Sequence, residues 1–120
     1  MNILILEDNP YRIEKFKELF KNQELFFYDN VRDAFLACIK HTFSVMLLDH
    51  DLDLQIWVDS NEENTGYQFV KKIIEANLQK KCLTYIHSMN FVGANKMLNL
   101  LLDNERDGIW IPAHLILGEK

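Results

Sequence analysis

Residues 45–51 read Val-Met-Leu-Leu-Asp-His-Asp, a short apolar run that stops abruptly at three polar side chains. Because both faces of such a run are apolar, it is typical of a central parallel strand that helices cover on both sides. Similar runs occur at 3–6, 25–28, 83–86 and 108–111, each followed by polar residues or proline. The sequence therefore predicts five strands.

Amphipathic segments separate these runs. Asn9-Pro10 is suited to cap and begin a helix, and apolar residues recur at helical spacing after it. The pattern places Leu19, Ile39 and Leu102 on inward faces. It predicts helices at 10–21 and 31–39, from Thr65-Gly66 onward, and at 90–102. The alternation of strands and helices with short links indicates a single α/β domain with a five-stranded parallel sheet between two helical layers.

The composition limits the classes of protein to consider. The chain has 120 residues, enough for one domain over 1–120, and a net charge of −5, which disfavours broad nucleic-acid binding. No apolar run reaches the roughly 20 residues that span a bilayer, and the N-terminus lacks the basic start of a signal peptide. We therefore expect a cytoplasmic protein without membrane contact. Cys38 and Cys82 lie in apolar stretches and are predicted to be buried free thiols.

Polar side chains collect where the predicted strands end. They are Glu7 and Asp8 after the first strand, Asp49, His50 and Asp51 after the third, and His87, Ser88 and Asn90 after the fourth. Ligands of open parallel sheets bind at the carboxyl ends of the strands. Several carboxylates at one edge repel each other unless a cation lies between them. Oxygen-rich sites suit Mg²⁺ or Mn²⁺, and a nearby histidine also admits Zn²⁺.

Each of these residues also has a purely structural interpretation. Asp8 could be only a helix cap, and His87 could be a buried structural histidine. Strand alternation predicts that His50 points away from Asp49 and Asp51. His114 follows the fifth strand closely enough that it could reach the same edge.

The strand-end residues resemble those of response-regulator receiver domains. The acidic pair Glu7-Asp8, Asp49 after the third strand and a hydroxyl residue after the fourth carry this resemblance. It implies a flavodoxin-like fold, a metal bound by Glu7, Asp8 and Asp49, and phosphorylation of Asp49. In it, Ser88 or His87 takes the position of the switch Ser/Thr.

Three features depart from the usual receiver pattern. Receivers place a lysine before a proline after the fifth strand, whereas this chain has Ile111-Pro112. Gly66 lies 17 positions after Asp49, so the intervening loop is expanded. The last helix is expected to be short or absent, because only residues 113–120 follow and Gly118 interrupts them.

The motif Leu-Asp-His-Asp-Leu at 48–52, together with His87-Ser88-x-Asn90 and Gly93, resembles a variant receiver group proposed to process cyclic phosphates. This resemblance implies a metal-dependent phosphoesterase. Its predicted catalytic residues are Asp49, His87 and Asp51, and its predicted substrate-binding residues are Ser88, Asn90 and His50. Since the ordinary pKa of histidine is about 6.5, His87 is assigned as general acid or base. The expected ligand is a small phosphate compound or a cyclic nucleotide, on whose base Trp57 could stack.

Two other functions stay open at this point. The chain could be a stand-alone receiver that is phosphorylated at Asp49 in a phosphorelay. It could instead be a pseudo-receiver that only binds a partner. A missing last helix would leave one sheet face partly uncovered, which predicts a homodimer or a complex with another protein.

Overall fold

The computed structural model describes residues 1–52 and 55–118. Five strands form one parallel sheet: β1 (Asn2–Leu6), β2 (Glu24–Tyr28), β3 (Val45–Leu48), β4 (Leu83–Ile86) and β5 (Gly108–Trp110). The helices of the described residues are α1 (Pro10–Leu19), α2 (Val31–Lys40), α3 (Gly66–Glu75), α4 (Phe91–Asp103) and α5 (Ala113–Ile116). The strand order is β2-β1-β3-β4-β5, which is the flavodoxin-like order. The predicted fold is confirmed.

The sheet has a core on each face. The larger core contains Leu4, Leu6, Met46, Leu48 and Ile86, packed against α2, α3 and α4. The smaller core contains Ile3, Ile5, Leu47 and Phe16, with Ile116 of α5 packed against it. Strands covered on both faces have to be apolar throughout, which is why they appear as continuous apolar runs in the sequence.

The register of the strands positions the candidate site. Leu6 pairs with Leu48, and Leu48 pairs with Ile86. The backbone ladder continues for one residue beyond these pairs, since the Asp49 amide donates to the Leu6 carbonyl at 3.0 Å. The His87 amide likewise donates to the Leu48 carbonyl at 2.9 Å. The first residues after β1, β3 and β4 are therefore neighbours.

Helix capping leaves the strand-end acids available for other roles. The Asn9 side chain accepts a hydrogen bond from the Tyr11 amide at 2.9 Å and caps α1. Asn30, Thr65 and Asn90 cap α2, α3 and α4 in the same way. The cap of α1 is therefore Asn9 and not Asp8.

Several predicted boundaries and orientations differ in the structure. Helix α1 ends at Leu19 instead of residue 21, and β5 ends at Trp110 instead of residue 111. Leu19, Ile39 and Leu102, which were expected to face inward, are exposed. Ile39 lies about 80° around the helix from Val31, outside the buried arc of α2. Leu19 borders a surface that the short α5 leaves uncovered.

The short last helix is confirmed, since α5 spans only Ala113–Ile116. An apolar groove of about 530 Å³ lies beside it, bordered by α1 and by the sheet. Its lining includes Ile3, Leu19, Phe20, Leu47, Tyr85, Ile111 and Leu115. The predicted partly uncovered face is therefore present.

The remaining predictions concern the thiols and the membrane. Cys38 and Cys82 are buried free cysteines, as predicted. Burial raises the pKa of each thiol to about 12, so both are chemically inert at neutral pH. Among the described residues, no helix is long and apolar enough to cross a membrane.

Candidate functional site

Glu7, Asp49 and His87 form a buried cluster at the carboxyl ends of β1, β3 and β4. One potential ligand atom from each lies within 4.8 Å of the other two. Glu7 and His87 have no exposed surface, and Asp49 is 5% exposed. The register described above brings them together, because each is the first residue after one of three adjacent strands.

Glu7 and His87 are hydrogen-bonded inside this cluster. Nε2 of His87 lies 3.1 Å from Oε1 of Glu7. The other carboxylate oxygen, Oε2, accepts from the backbone amides of Asp8 and Asn9 at 3.0 and 3.2 Å. Burial by itself would raise the pKa of Glu7, but His87 and the Arg12 guanidinium outweigh it and hold the pKa below its ordinary value. Glu7 is therefore a buried carboxylate stabilised in its charged form.

The pKa of Asp49 is shifted in the opposite direction to that of Glu7. Its Oδ1 accepts from the His50 amide at 2.8 Å. Burial raises the pKa of Asp49 to about 7, and the Glu7 carboxylate adds to this, while His87 and Arg12 oppose it. Two buried acids side by side thus have pKa values shifted apart, an arrangement common at functional sites.

Arg12 is a site residue that the sequence interpretation missed. Its Nη1 lies 3.6 Å from Glu7 Oε1 and 3.8 Å from Asp49 Oδ2. Arg12 belongs to the first turn of α1, and its position two residues after Pro10 was the available signal. Of the described residues that line the cavity at this edge, Arg12 is the one with a positively charged side chain. A guanidinium here lies where a phosphate could approach both the acids and a positive charge.

The cluster fits a divalent ion. Nδ1 of His87 is buried without a hydrogen-bond partner among the described residues, although buried polar atoms are normally satisfied. Two carboxylates and an imidazole are a donor set that suits Mn²⁺ or Zn²⁺, and Mg²⁺ through the oxygens. Asp8, the remaining predicted metal residue, is partly buried and lines the adjacent cavity without belonging to the cluster.

A cavity of about 240 Å³ opens beside Glu7 and Asp49. Its other lining residues are Asp8, Asn9, Arg12, Asp51, Gln55, Ile56, Trp57, Met89 and Asn90. The lining therefore combines four acids and a single arginine with the apolar side chains of Ile56, Trp57 and Met89. Such a mixture suits a small ligand with a charged end and an apolar end.

The long loop after β3 is fastened by a second polar network. His50 Nδ1 lies 2.7 Å from Asp51 Oδ1, and His50 Nε2 lies 2.8 Å from Ser60 Oγ. The side-chain Nδ2 of Asn90 donates to Asp51 Oδ1 at 3.0 Å and to the Val58 carbonyl at 3.1 Å. An antiparallel bridge between Asp51 and Thr65 closes the base of the loop. The predicted loop 53–65 is thus tied down at 55–65, while residues 53 and 54 lie outside the described part.

The prediction that His50 points away from Asp51 is wrong. Strand β3 ends at Leu48, so the alternation of side chains no longer applies at 50 and 51. The His50 ring is fully buried. It packs so closely on Gly93 that a Cβ there would lie 2.5 Å from the ring.

Ser88 and His114 occupy neighbouring positions. The buried Ser88 hydroxyl accepts from the Asn90 amide at 3.0 Å, and the Ser88 carbonyl accepts from Trp110 Nε1 at 2.9 Å. Nδ1 of His114 lies 3.3 Å from the sulfur of Met89. His114 is thus placed beside Met89, which lines the cavity, and is not a member of the acidic cluster.

Residues 3–107 match the sequence model of the family described as Cyclic-phosphate processing Receiver domain. The chain belongs to this receiver family. No curated relative matches it by sequence. The family membership confirms the resemblance drawn from Leu48 to Leu52 and from His87 to Asn90.

Solved receiver structures share the fold of this receiver domain. The Vibrio cholerae chemotaxis protein CheY4 has a TM-score of 0.69 and 15% identity, with 98% of this chain and 92% of that chain covered. A CheY-like receiver domain from Methylobacillus flagellatus has a TM-score of 0.68 and 18% identity, over 93% and 85% of the two chains. The Mn²⁺-bound form of response regulator Rcp1 has a TM-score of 0.68 and 13% identity, over 98% and 89%. At these identities the likeness shows the fold.

Proposed function

We propose that this receiver domain is a metal-dependent phosphoesterase that opens a small cyclic phosphate. The observation that carries the proposal is the buried cluster of Glu7, Asp49 and His87 beside a cavity that also holds Arg12. The family description, which names the processing of cyclic phosphates, supports it. The existence of a Mn²⁺-bound form of the receiver Rcp1, which shares this fold, also supports a divalent ion.

The position of each residue suggests whether it would bind the metal ion or the phosphate. Glu7, Asp49 and His87 would hold the ion, and Asp8 would be within reach of the same cavity. A bound divalent ion polarises a phosphate and lowers the pKa of water. Arg12 would neutralise a phosphate oxygen, a role that receivers otherwise give to the lysine missing at Ile111. Such a charge-assisted contact contributes roughly 1.5–3 kcal/mol.

The geometry suggests more specific roles for the other predicted residues. His87 is fully buried and does not line the cavity, so we propose that it acts as a ligand and as a partner of Glu7. Asp51, Asn90 and His50 would position the loop wall of the cavity through their mutual hydrogen bonds. Ser88 would fix the start of α4. Direct contact of these residues with substrate stays a prediction.

The test is an assay of the purified protein against nucleoside 2′,3′-cyclic and 3′,5′-cyclic phosphates. Each is supplied with Mg²⁺, Mn²⁺ or Zn²⁺, and with chelator as a control. We expect metal-dependent opening of at least one compound, lost in Asp49→Ala and in His87→Ala. His41→Ala and Asp103→Ala alter exposed residues that belong neither to the cluster nor to the lining of the cavity, and both variants should keep the full rate. Full activity in either site variant would contradict the assigned roles.

A second candidate function is phosphorylation of Asp49. The observation that favours it is the 3.8 Å approach of Arg12 Nη1 to Asp49 Oδ2, because this cation could partly replace the missing lysine. Incubation with a small phosphodonor and Mg²⁺ should then add the mass of one phosphoryl group, and Asp49→Asn should prevent it. An unchanged mass removes this candidate.

We also propose a cytoplasmic location, supported by two free cysteines that are both buried.

A further inference from the structure

Exposed aromatic side chains border the cavity beside Glu7 and Asp49. Trp57 is 60% exposed and Phe91 is 49% exposed. Their ring centroids lie 6.1 Å apart, and the Phe91 centroid lies 5.3 Å from that of Trp110. We call these three residues the aromatic platform. Large apolar groups exposed together beside a polar cavity mark ligand sites more often than chance exposure does.

Trp57 of the platform shares a cavity with the two acids of the cluster. Trp57 lines it together with Glu7, Asp49 and Arg12. Phe91 directly follows Asn90, which also lines the cavity, and begins α4. A ligand whose phosphate lies at the acids and Arg12 would therefore meet aromatic rings with its other end.

The loop holds Trp57 in a fixed and unusual conformation. Its φ is 57°, in the left-handed region that bulky side chains rarely adopt. Asp51 accepts from the Trp57 amide at 2.7 Å and from the Val58 amide at 3.2 Å, and these contacts stabilise the conformation. Because the backbone at Trp57 is already held, less conformational entropy is lost when a ligand stacks on its side chain.

We propose that the aromatic platform binds the nucleobase of the substrate, so that the ester processed at the acidic cluster is a nucleoside cyclic phosphate. The inference rests on the proposed function. A nucleobase is flat and aromatic, and stacking on tryptophan or phenylalanine accepts any of the bases. The substrate is a single nucleotide and not an RNA end, because the net charge of −5 and the acidic cavity repel a longer polyanion.

The experiment compares a nucleoside 2′,3′-cyclic phosphate with methyl ribofuranoside 2,3-cyclic phosphate, which carries the same ester and no base. Wild-type protein should show a kcat/KM roughly tenfold to hundredfold higher for the nucleoside. Trp57→Leu should bring the ratio of the two kcat/KM values close to one. Trp57→Phe should restore most of the preference for the nucleoside. An equal kcat/KM for both compounds in wild-type protein overturns the inference and leaves the proposed function standing.

A binding measurement distinguishes failure of the base site from failure of the proposed phosphoesterase function. The protein contains two tryptophans, so the part of the fluorescence that is missing in Trp57→Leu reports on Trp57. Saturable quenching by a nucleoside monophosphate without metal is expected, and ribose 5-phosphate should not cause it. Quenching without turnover of any cyclic phosphate would refute the phosphoesterase and keep the base site. Absence of quenching overturns the base site.

Two further measurements test whether an RNA end or a second copy of the protein occupies the platform instead. A short oligoribonucleotide with a 2′,3′-cyclic end should bind more weakly than the mononucleotide; tighter binding overturns the single-nucleotide assignment. Sedimentation of wild-type protein and Trp57→Leu should give the same mass. A dimer that dissociates in Trp57→Leu would mean that a second copy covers the platform, which also overturns it.

Discussion

The imidazole of His87 lies 3.1 Å from the carboxylate of Glu7, and neither side chain has any surface exposed to solvent. These residues are 80 positions apart in the chain. They meet because β1 and β4 flank β3 and because the ladder continues one residue past each strand. A buried carboxylate is tolerated only when it is paired and hydrogen-bonded. The pair therefore holds a charged carboxylate oxygen and an imidazole nitrogen close together, which are the ligand types that the proposed metal site requires.

Replacing Glu7 by glutamine tests this pair as part of a metal site. Glu7→Gln keeps the shape of the side chain but removes its charge, and an amide is a much weaker ligand than a carboxylate. We expect Mn²⁺ affinity, measured by isothermal titration calorimetry, to fall at least about tenfold. Glu14→Gln changes an exposed glutamate of α1 and should bind Mn²⁺ like wild type. Equal affinity in Glu7→Gln would exclude Glu7 as a ligand.

The buried Asp49 carboxyl makes the stability of the metal-free protein depend on pH. Its pKa is about 7 in the folded state against an ordinary 3.8, so between these values the folded state keeps a proton that the unfolded chain has released. The free energy of unfolding should therefore fall as pH rises through this window, by at most roughly 3 kcal/mol between pH 5 and pH 8. Urea unfolding of the chelated protein at pH 5 and pH 8 measures this.

The matched variant for this pH experiment is Asp49→Asn, which cannot titrate. It should lose less stability than wild type between the two pH values, whereas Asp103→Asn should behave like wild type. If Asp49→Asn shows the wild-type pH dependence, another group is responsible.

Gly66 is predicted to be essential for the backbone around the site. A Cβ at this position would lie 2.0 Å from the backbone oxygen of Asp49, and a backbone atom cannot yield as a side chain can. We expect Gly66→Ala to destabilise the fold by about 3 kcal/mol and to weaken metal binding. At Gly108, a Cβ would meet the flexible Leu101 side chain at 2.9 Å, so Gly108→Ala should cost less. Chemical denaturation of both variants decides the order, and a smaller effect at Gly66 would contradict this interpretation.

The uncovered apolar groove beside α5 predicts self-association. Light scattering at tens of micromolar should report a dimer, because apolar surface such as Leu19 and Leu115 gains from burial. Leu19→Ser with Leu115→Ser should shift the protein toward monomer, while Leu36→Ser on α2 should not. A wild-type monomer at this concentration would count against association.

Much of the fold and part of the site could be predicted from sequence because the signals are local. Apolar runs such as 45–48 end at polar residues, and parallel strands bring those ends to one edge. This pattern alone is enough to predict that Glu7, Asp49 and His87 lie together. Helix exposure was less predictable: Leu19 satisfies the helical period, but it lines the groove beside the short α5 and stays exposed.

Contacts between residues that come together only in the folded chain could not be predicted from the sequence. The position of Arg12 just after Pro10 was a signal for its approach to Glu7, but its approach to Asp49 joins residues from separate elements that only the fold brings together. The link from His50 to Ser60 joins residues 10 apart through a loop without regular structure. The orientation of His50 was predicted wrongly because strand alternation was extended beyond Leu48, where β3 ends.

In the proposed function, the cluster of Glu7, Asp49 and His87 hydrolyses a cyclic phosphate with a bound divalent ion. The most direct test follows a nucleoside 2′,3′-cyclic phosphate by ³¹P NMR with wild-type protein and Mg²⁺. We expect the ³¹P signal of the cyclic phosphate to be replaced by that of a phosphate monoester. Chelator or Asp49→Asn should stop this conversion. An unchanged cyclic signal, with Mg²⁺ binding to the same sample established by calorimetry, would contradict the proposed function.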